Sequence, residues 1–127
     1  MPGLTHIRLL VDDLARMTAF YRDRMGYKTV VDVPNTYVEF DTGAARLALY
    51  PAALMSGIMG TTVGARGDDV VLGIQVGDVD AEARRLSMLG VTLVRPPQDQ
   101  PAWLLRVAHL RDPEGHLIEL WAPLRGG

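Results

Sequence analysis

Two short stretches, Val11-Asp12-Asp13-Leu14 and Val76-Gly77-Asp78-Val79, lie 65 residues apart in the chain and decide its fold. Each one ends a β-compatible run with an aspartate that can accept hydrogen bonds from the first backbone N–H groups of a helix. Apolar residues then recur at helical spacing, until Gly26 ends the first helix and Gly90 ends the second. The sequence therefore predicts a strand followed by a helix at two places in the chain.

Three further strand-like runs follow each predicted helix. The predicted strands of the first half are 5–11, 27–33, 36–41 and 46–50, and those of the second half are 70–76, 91–95, 103–111 and 117–121. The ends of the halves also match, because Asp41, Leu47, Leu49 and Tyr50 fall on Asp112, Ile118, Leu120 and Trp121 at an offset of 71. We interpret the chain as a tandem duplication that gives an α+β fold, with two β-α-β-β-β modules forming curled mixed sheets around a cleft.

The duplication also sets the expected domain organisation. We expect one domain over residues 1–127, with module one at about 4–50, a linker at 51–69 and module two at about 70–122. The linker is rich in Gly, Met and Thr and shows no strong periodicity beyond one short turn near 52–55, so it is either a mobile connection or a lid over an apolar ligand. The proline-rich stretch 96–101 cannot be a central strand, because proline lacks the N–H donor of a ladder.

Composition excludes several classes of protein. With 48% hydrophobic and 22% charged residues, the chain has the composition of an ordinary globular protein. Its net charge of -2 provides no basic field to hold nucleic acid or anionic lipid, so we expect neither partner. The absence of cysteine excludes disulfides and thiol nucleophiles and is compatible with the cytoplasm, where we expect the protein.

Strand alternation selects the candidate site residues. Residues 7, 9 and 11 of the first strand are apolar and should pack on the helices, which turns His6 and Arg8 to the opposite face. Residues 118 and 120 of the last strand should also pack on the helices, which turns Glu119 and Trp121 to the opposite face. His6 and Glu119 are therefore expected to share one site in the cleft. A lone buried carboxylate is costly, so Glu119 is either a site residue or the partner of Arg8 or Arg106 in a salt bridge.

Five motifs spread over nearly the whole chain carry a family resemblance. They are His6-Ile7, Val11-Asp12-Asp13-Leu14, Phe20-Tyr21-Arg22-Asp23, Met25-Gly26-Tyr27 and Asp112-Pro113-Glu114-Gly115-His116-Leu117-Ile118-Glu119-Leu120. The last is the most specific, since it is a turn that leads into a strand with one glutamate. With these motifs the chain resembles the vicinal oxygen chelate superfamily, which includes glyoxalase I, fosfomycin and bleomycin resistance proteins, and extradiol dioxygenases. In metal-dependent members, up to four ligands on the first and last strands of the modules hold a divalent ion that stabilises charge on substrate oxygens.

The resemblance implies His6 and Glu119 as catalytic residues and metal ligands. The repeat offsets place Ala48 and Val71 at the other two ligand positions, and neither side chain can bind a metal. Zn²⁺ and Fe²⁺ sites usually need three protein ligands, whereas two ligands and water would hold Mg²⁺ or Mn²⁺ weakly. His109 could be a third ligand if it is the cross-strand neighbour of Glu119, and otherwise it is a core or edge residue without a chemical role. The expected cofactor is therefore none, or a divalent ion of Ni, Mn, Fe, Zn or Mg. Without a metal, the same groups could act as a carboxylate–histidine acid–base pair.

Other side chains on the same strands are candidate ligand-binding residues. Arg8 could clamp an anionic group of a ligand, or it could neutralise Glu119. The aromatic residues could form the walls around a planar ligand or pack in the core; they are Tyr37, Tyr50, Trp103 and Trp121.

Three functions remain open from the sequence. The leading hypothesis is a glyoxalase/bleomycin-resistance-like protein that binds a small organic ligand in a cleft between the modules without the full metal site. The alternative is a divalent-metal-dependent lyase, isomerase or dioxygenase that uses His6 and Glu119 with a third ligand such as His109. The third hypothesis is a subunit that interacts with another protein and binds no small ligand. The resemblance also implies a homodimer with sites across the interface, which would seal sheet edges.

Overall fold

The computed structural model describes residues 4–64 and 70–124, and the chain divides into two compact units, within residues 1–66 and 67–127. The first unit contains β1 (His6–Val11), α1 (Leu14–Ala19), a π-helical turn (Phe20–Arg24), β2 (Lys28–Val33), β3 (Tyr37–Asp41), β4 (Arg46–Pro51) and α2 (Ala52–Met59). The second unit contains β5 (Val71–Gln75), α3 (Val79–Met88), β6 (Leu93–Gln100), a 3-10 turn (Pro101–Trp103), β7 (Leu105–Arg111) and β8 (Leu117–Pro123).

The two units have the same sheet topology. Each contains a four-stranded sheet, with the order β1-β4-β3-β2 in the first unit and β5-β8-β7-β6 in the second. In both sheets the first and last strands of the module pair in parallel, and the other neighbours pair antiparallel. This arrangement confirms the α+β class and the tandem β-α-β-β-β modules. The cleft between the modules stays a prediction, because it depends on how the two units are placed relative to each other.

The predicted helix signals are confirmed. The Asp13 carboxylate accepts a hydrogen bond of 3.0 Å from the backbone N–H of Arg16, and the Asp78 carboxylate accepts one of 3.1 Å from that of Ala81. In the first unit the helix ends in the π-helical turn, where the Met25 N–H donates to the Phe20 carbonyl at 3.0 Å. Gly26 and Gly90 then adopt φ values of 82° and 86°, which glycine reaches without steric cost. None of the helices among the described residues combines the length and apolar character that crossing a membrane requires.

Alternate residues of the strands form the core of each unit. Leu9 and Val11 of β1 and Ile118 and Leu120 of β8 are buried, as the alternation predicted. Ile7, which we predicted to pack on the helices, is 36% exposed. It lies near the start of β1, an edge strand of its sheet in the described part of the chain, so a neighbouring strand covers it on one side only.

The predicted linker contains a helix that the sequence did not reveal. Residues 52–59 form α2, although we expected only a short turn there. The segment is apolar on almost all sides, so no alternation of polar and apolar residues marks its helical period. Pro51 before it and Gly60 after it, with a φ of 71°, are the boundary signals that could have identified it. Residues 65–69 of the predicted linker lie outside the described residues.

The proline-rich stretch lies at the edge of the second sheet. β6 runs to Gln100 and includes Pro96 and Pro97, where we predicted a strand that ended near residue 95. Its pairing with β7 shifts register twice, between Leu93 and Gln98, and β6 has no second strand neighbour among the described residues. An edge strand tolerates prolines because its outer N–H groups are not needed for a ladder. The prediction that this stretch is not a central strand therefore agrees with the structure. The stretch nevertheless belongs to the sheet, as part of an edge strand.

We expect Asp78→Ala to lower the free energy of unfolding by about 1 kcal/mol, because it removes the side-chain acceptor at the start of α3. Urea denaturation followed by circular dichroism measures the change. Ser87→Ala is the matched control, since Ser87 is exposed on the same helix and should alter stability by less than about 0.5 kcal/mol. Equal losses in the two variants would contradict the capping role of Asp78.

Candidate functional site

In the first unit, His6 is bound to a carboxylate that the sequence analysis did not select. Its Nε2 atom contacts a carboxylate oxygen of Glu39 in β3. β4 lies between the two strands, and its residue Ala48 pairs with Arg8 on one side and with Glu39 on the other. Because Ala48 has only a methyl group, the longer side chains of His6 and Glu39 can meet across β4. The alanine at a family ligand position thus leaves room for an imidazole–carboxylate contact.

Both ring nitrogens of His6 have partners. An ionised carboxylate only accepts hydrogen bonds, so Nε2 donates to Glu39. The Thr5 hydroxyl lies 2.9 Å from Nδ1 and can donate to it when the ring is neutral. Glu39 itself is buried, with 8% of the residue exposed, so His6 satisfies a carboxylate that would otherwise be costly to bury.

Glu39 could have been found from its sequence neighbours. It lies in β3 between Val38 and Phe40, which are both buried. A single carboxylate within an apolar strand is the signal that selected Glu119, and the same criterion applied to β3 selects Glu39.

In the second unit, His109 and Glu119 form a comparable pair. β7 and β8 pair these residues directly, which is the register that the third-ligand hypothesis required. The Nε2 atom of His109 lies 2.9 Å from a carboxylate oxygen of Glu119, and the two side chains are 21% and 23% exposed. Nδ1 of His109 is buried and has no hydrogen-bond partner among the described residues. One ring nitrogen is therefore held by the carboxylate, while the other retains an unused lone pair.

The two pairs occupy related but different positions in the repeat. Ala48 and Glu119 are equivalent by the offset of the last strands, and they pair with Glu39 and His109, respectively. Glu39 and His109 are therefore equivalent positions, although one is an acid and the other a base. The pair of the first unit is built from β1 and β3, and that of the second unit from β7 and β8. The second unit has a further imidazole–carboxylate contact in the turn between β7 and β8, where Nδ1 of His116 lies 2.7 Å from a carboxylate oxygen of Asp112.

A cationic and aromatic cluster lies on the His6 face of the first sheet. The Nε–H of Arg8 donates to the Tyr37 hydroxyl at 3.4 Å, and its guanidinium carbon lies 5.9 Å from the centre of the Tyr37 ring. The rings of Tyr37 and Tyr50 pack edge to face, with 6.2 Å between their centres. The hydrogen bond from Arg8 to Tyr37 is the main cause of a raised guanidinium pKa. Within its own unit Arg8 is thus hydrogen-bonded to a neutral side chain. Glu119 belongs to the other unit, and a salt bridge between Arg8 and Glu119 stays a prediction.

Arg106, the other expected partner of Glu119, binds elsewhere. Its guanidinium donates two hydrogen bonds to Asp80, of 2.6 and 2.8 Å, and one of 2.8 Å to Asp99. Arg106 lies an odd number of residues from His109 in β7, so its side chain leaves the opposite face of the sheet, where α3 presents Asp80. The same contact holds the pKa of the Asp80 carboxyl below its ordinary value. The proposed Arg106–Glu119 salt bridge is therefore wrong.

Two tryptophans were also candidate ligand-binding residues, and His6 and Glu119 were expected to share one site. Trp121 lies partly buried on the Glu119 face of β8, and its indole packs next to Gly73 of β5, with Nε1 3.7 Å from the place of a Cβ atom there. The Trp103 side chain lies outside the described residues. His6 and Glu119 belong to different units, and the expectation that they share one hollow stays a prediction.

Comparison with known proteins identifies the class to which this chain belongs. Residues 3–120 match the family described as the Glyoxalase/Bleomycin resistance protein/Dioxygenase superfamily. The chain is a member of this superfamily, as its motifs suggested. Among individual proteins, it is 33% identical to the uncharacterized protein YraH of Bacillus subtilis (strain 168) over 126 residues, which cover 95% of this chain and 98% of YraH.

Two solved structures extend the comparison to three dimensions. A glyoxalase/bleomycin resistance protein/dioxygenase from Nocardioides has a TM-score of 0.85 at 27% identity, covering 100% of this chain and 87% of that one. Lactoylglutathione lyase from Agrobacterium tumefaciens has a TM-score of 0.78 at 25% identity, covering 95% of this chain and 93% of that one.

The side chains present do not fit the metal site of the metal-dependent relatives. Ala48 and Val71 occupy two of the four ligand positions and offer no donor atom. Across residues 4–64 and 70–124, no three side chains of His, Cys, Asp or Glu gather closely enough to hold a metal ion. Both candidate imidazoles also contact a carboxylate of their own sheet. We therefore derive no chemical step through a metal ion.

We expect Glu119→Ala to lower the free energy of unfolding by about 1–3 kcal/mol, because it leaves a partly buried imidazole without its hydrogen-bond acceptor. Glu119→Gln keeps an amide oxygen at this position and should cost less, about 1 kcal/mol. Urea denaturation of the two variants and the wild type measures both changes. If both variants unfold at the wild-type urea concentration, the His109–Glu119 contact does not contribute to stability.

Proposed function

We propose that this protein binds a small organic ligand on the strand faces that carry the His6–Glu39 and His109–Glu119 pairs, without the full metal site of its metal-dependent relatives. The observation that carries the proposal is the state of the two imidazoles. Each is paired with a carboxylate within its own sheet, while the family positions at Ala48 and Val71 lack donor atoms. The pairs therefore provide polar groups for recognition that do not depend on a bound ion.

The surroundings of the pairs have the composition of a ligand site. Binding sites for small molecules combine apolar and aromatic walls with a few polar groups that orient the ligand. Tyr37 and Tyr50 lie on the His6 face of the first sheet, and Trp121 lies on the Glu119 face of the second, all of them partly buried. Faces of this kind can hold a planar organic molecule and hydrogen-bond its polar atoms.

The pairs could also move a proton if the bound molecule reacts. An imidazole that donates one N–H to a carboxylate is held in a fixed tautomer, and its other nitrogen accepts a proton. His109 has this form, since Nε2 is bound to Glu119 and Nδ1 has no partner among the described residues. We propose His109 as the base for a proton transfer and Glu119 as the group that positions it, provided that ligand binding uncovers Nδ1, which is buried in the free protein.

A metal-dependent lyase, isomerase or dioxygenase is the competing function. The similarity to lactoylglutathione lyase from Agrobacterium tumefaciens favours the lyase class among these. This function would require His6 and Glu119 to release their present partners or to bind a metal ion together with them. Metal retention separates it from metal-free ligand binding.

We expect the wild-type protein to retain far less than a stoichiometric amount of metal after dialysis against Ni²⁺, Mn²⁺, Fe²⁺ or Zn²⁺ and desalting. Two family ligand positions carry no donor, so bound ions should dissociate readily. Mass spectrometry of the metal content measures the retained ion. Stoichiometric retention that Glu119→Ala or His6→Ala abolishes, while Asp32→Ala on β2 leaves it intact, would contradict the metal-free proposal and support the enzyme.

A cytoplasmic homodimer is part of the proposed function, with the site completed across the interface. The resemblance to dimeric relatives supports it, and so does the exposure of apolar side chains on the edge strand β2. Val30, Val31 and Val33 are 39%, 37% and 46% exposed. Exposed apolar edges are usually covered in native proteins, because they otherwise pair with other chains.

We expect light scattering to give a mass of about twice 13.9 kDa at micromolar concentration. A dilution series would then give the dissociation constant of the dimer. A mass that stays at that of one chain throughout the micromolar range would contradict the homodimer.

A further inference from the structure

We propose that Arg8 and Tyr37 form an anion-binding subsite and that the ligand is a small aromatic carboxylate. This inference rests on the proposed function, since it names the chemical class of the ligand bound on the first sheet. It depends on the contacts of the Arg8 guanidinium with Tyr37 and on the packing of Tyr37 against Tyr50.

Arg8 is charged and has hydrogen-bonding capacity left over. Only its Nε–H is used, in the bond to the Tyr37 hydroxyl, so within the described residues both terminal nitrogens are free of protein partners. Other arginines of the chain use their terminal nitrogens on carboxylates, as Arg22 does with Asp23 and Arg106 does with Asp80 and Asp99. The exposed terminal nitrogens of Arg8 can therefore pair with a carboxylate from outside the protein.

The Tyr37 hydroxyl provides a second donor at the same place. Its oxygen accepts from Arg8, so its hydrogen is free to donate to an anion next to the guanidinium. The guanidinium also lies near the face of the Tyr37 ring, a contact that limits its motion. Two donors of fixed relative position thus converge on one anionic group, which lowers the entropy cost of binding it.

The neighbouring tyrosines favour a planar ligand. The Tyr37 and Tyr50 rings pack edge to face and are both partly buried, so they present a stable aromatic wall beside the guanidinium. A ligand ring can pack on this wall while its carboxylate meets Arg8. The substrate class that combines both contacts is an aromatic acid.

The local charge favours a monoanion over a phosphate. The field of the buried Glu39 carboxylate reaches the Arg8 guanidinium. Glu39 would repel a doubly charged ligand more strongly than a monoanion. A carboxylate also matches the planar fork of a guanidinium, which binds it through two parallel hydrogen bonds.

Fluorine NMR titrations with para-fluorobenzoate and para-fluorobenzamide test the subsite on the full-length protein. The two probes have the same ring and similar shape, and only the first is charged. We expect the benzoate to bind at least about tenfold more tightly, the gain of one charge-assisted pair. Arg8→Gln should remove this difference, and Arg8→Lys should restore part of it because lysine keeps the charge but not the fork.

Further variants separate the subsite from general electrostatics and from folding. Tyr37→Phe should weaken the benzoate several-fold and leave the benzamide unchanged. Arg16→Gln is the matched control, since Arg16 is an exposed arginine on α1 of the same unit, and it should change neither affinity. If Arg8→Gln fails to fold by circular dichroism, Arg8→Lys and Tyr37→Phe decide the question.

The outcomes distinguish this inference from the proposed function. Equal affinity for the two probes, or a benzoate preference that survives Arg8→Gln, overturns the subsite and leaves ligand binding intact. If neither probe binds at millimolar concentration, the aromatic-acid class is wrong. A screen of neutral aromatic compounds then tests the proposed function by itself.

Discussion

The parallel pairing of the first and last strands of each module is the constraint on which the structure depends. β1 pairs with β4 and β5 with β8, so the last strand of each module lies at the centre of its sheet, between the first and third strands. A parallel pair needs a crossover connection, which α1 and α3 supply. Because of this order, the size of a residue in β4 or β8 affects which side chains of the two neighbouring strands can contact each other. Ala48 and Glu119 hold equivalent positions in these two strands. The small Ala48 side chain lets His6 and Glu39 meet across β4, whereas Glu119 is itself the carboxylate that contacts His109.

Much of the fold could be predicted because it depends on local signals that occur twice. Asp13 and Asp78 begin helices through bonds to backbone groups three residues away, and such contacts are encoded in neighbouring sequence. α2 was missed for a related reason, since a helix that is apolar on nearly all sides has no periodic pattern. The length of β6 was missed because the sequence of a strand does not show whether the strand lies at the edge or at the centre of its sheet. Only an edge strand tolerates prolines such as Pro96 and Pro97.

The candidate site was predictable only in part, because partners are chosen by geometry between strands. Alternation correctly separated the faces of β8, and applied to β7 it places Arg106 on the face opposite His109. It could not show that the partner on that face is Asp80 of α3. The partner of His6 was missed because the contact spans a whole intervening strand, and nothing in the sequence of β1 indicates which residue lies two strands away. Glu39 did carry a local signal, the burial of an isolated carboxylate, and that signal was as strong as the one in β8.

The π-helical turn at 20–24 has a consequence for how the two modules diverged. From Asp13 to Gly26 the chain advances 13 residues, whereas from Asp78 to Gly90 it advances 12. A π-type turn widens one coil of a helix by a single residue, so the extra residue of the first module is absorbed there. The one-residue difference between the two helical segments is thus accommodated within the helix, before the strands that follow it begin.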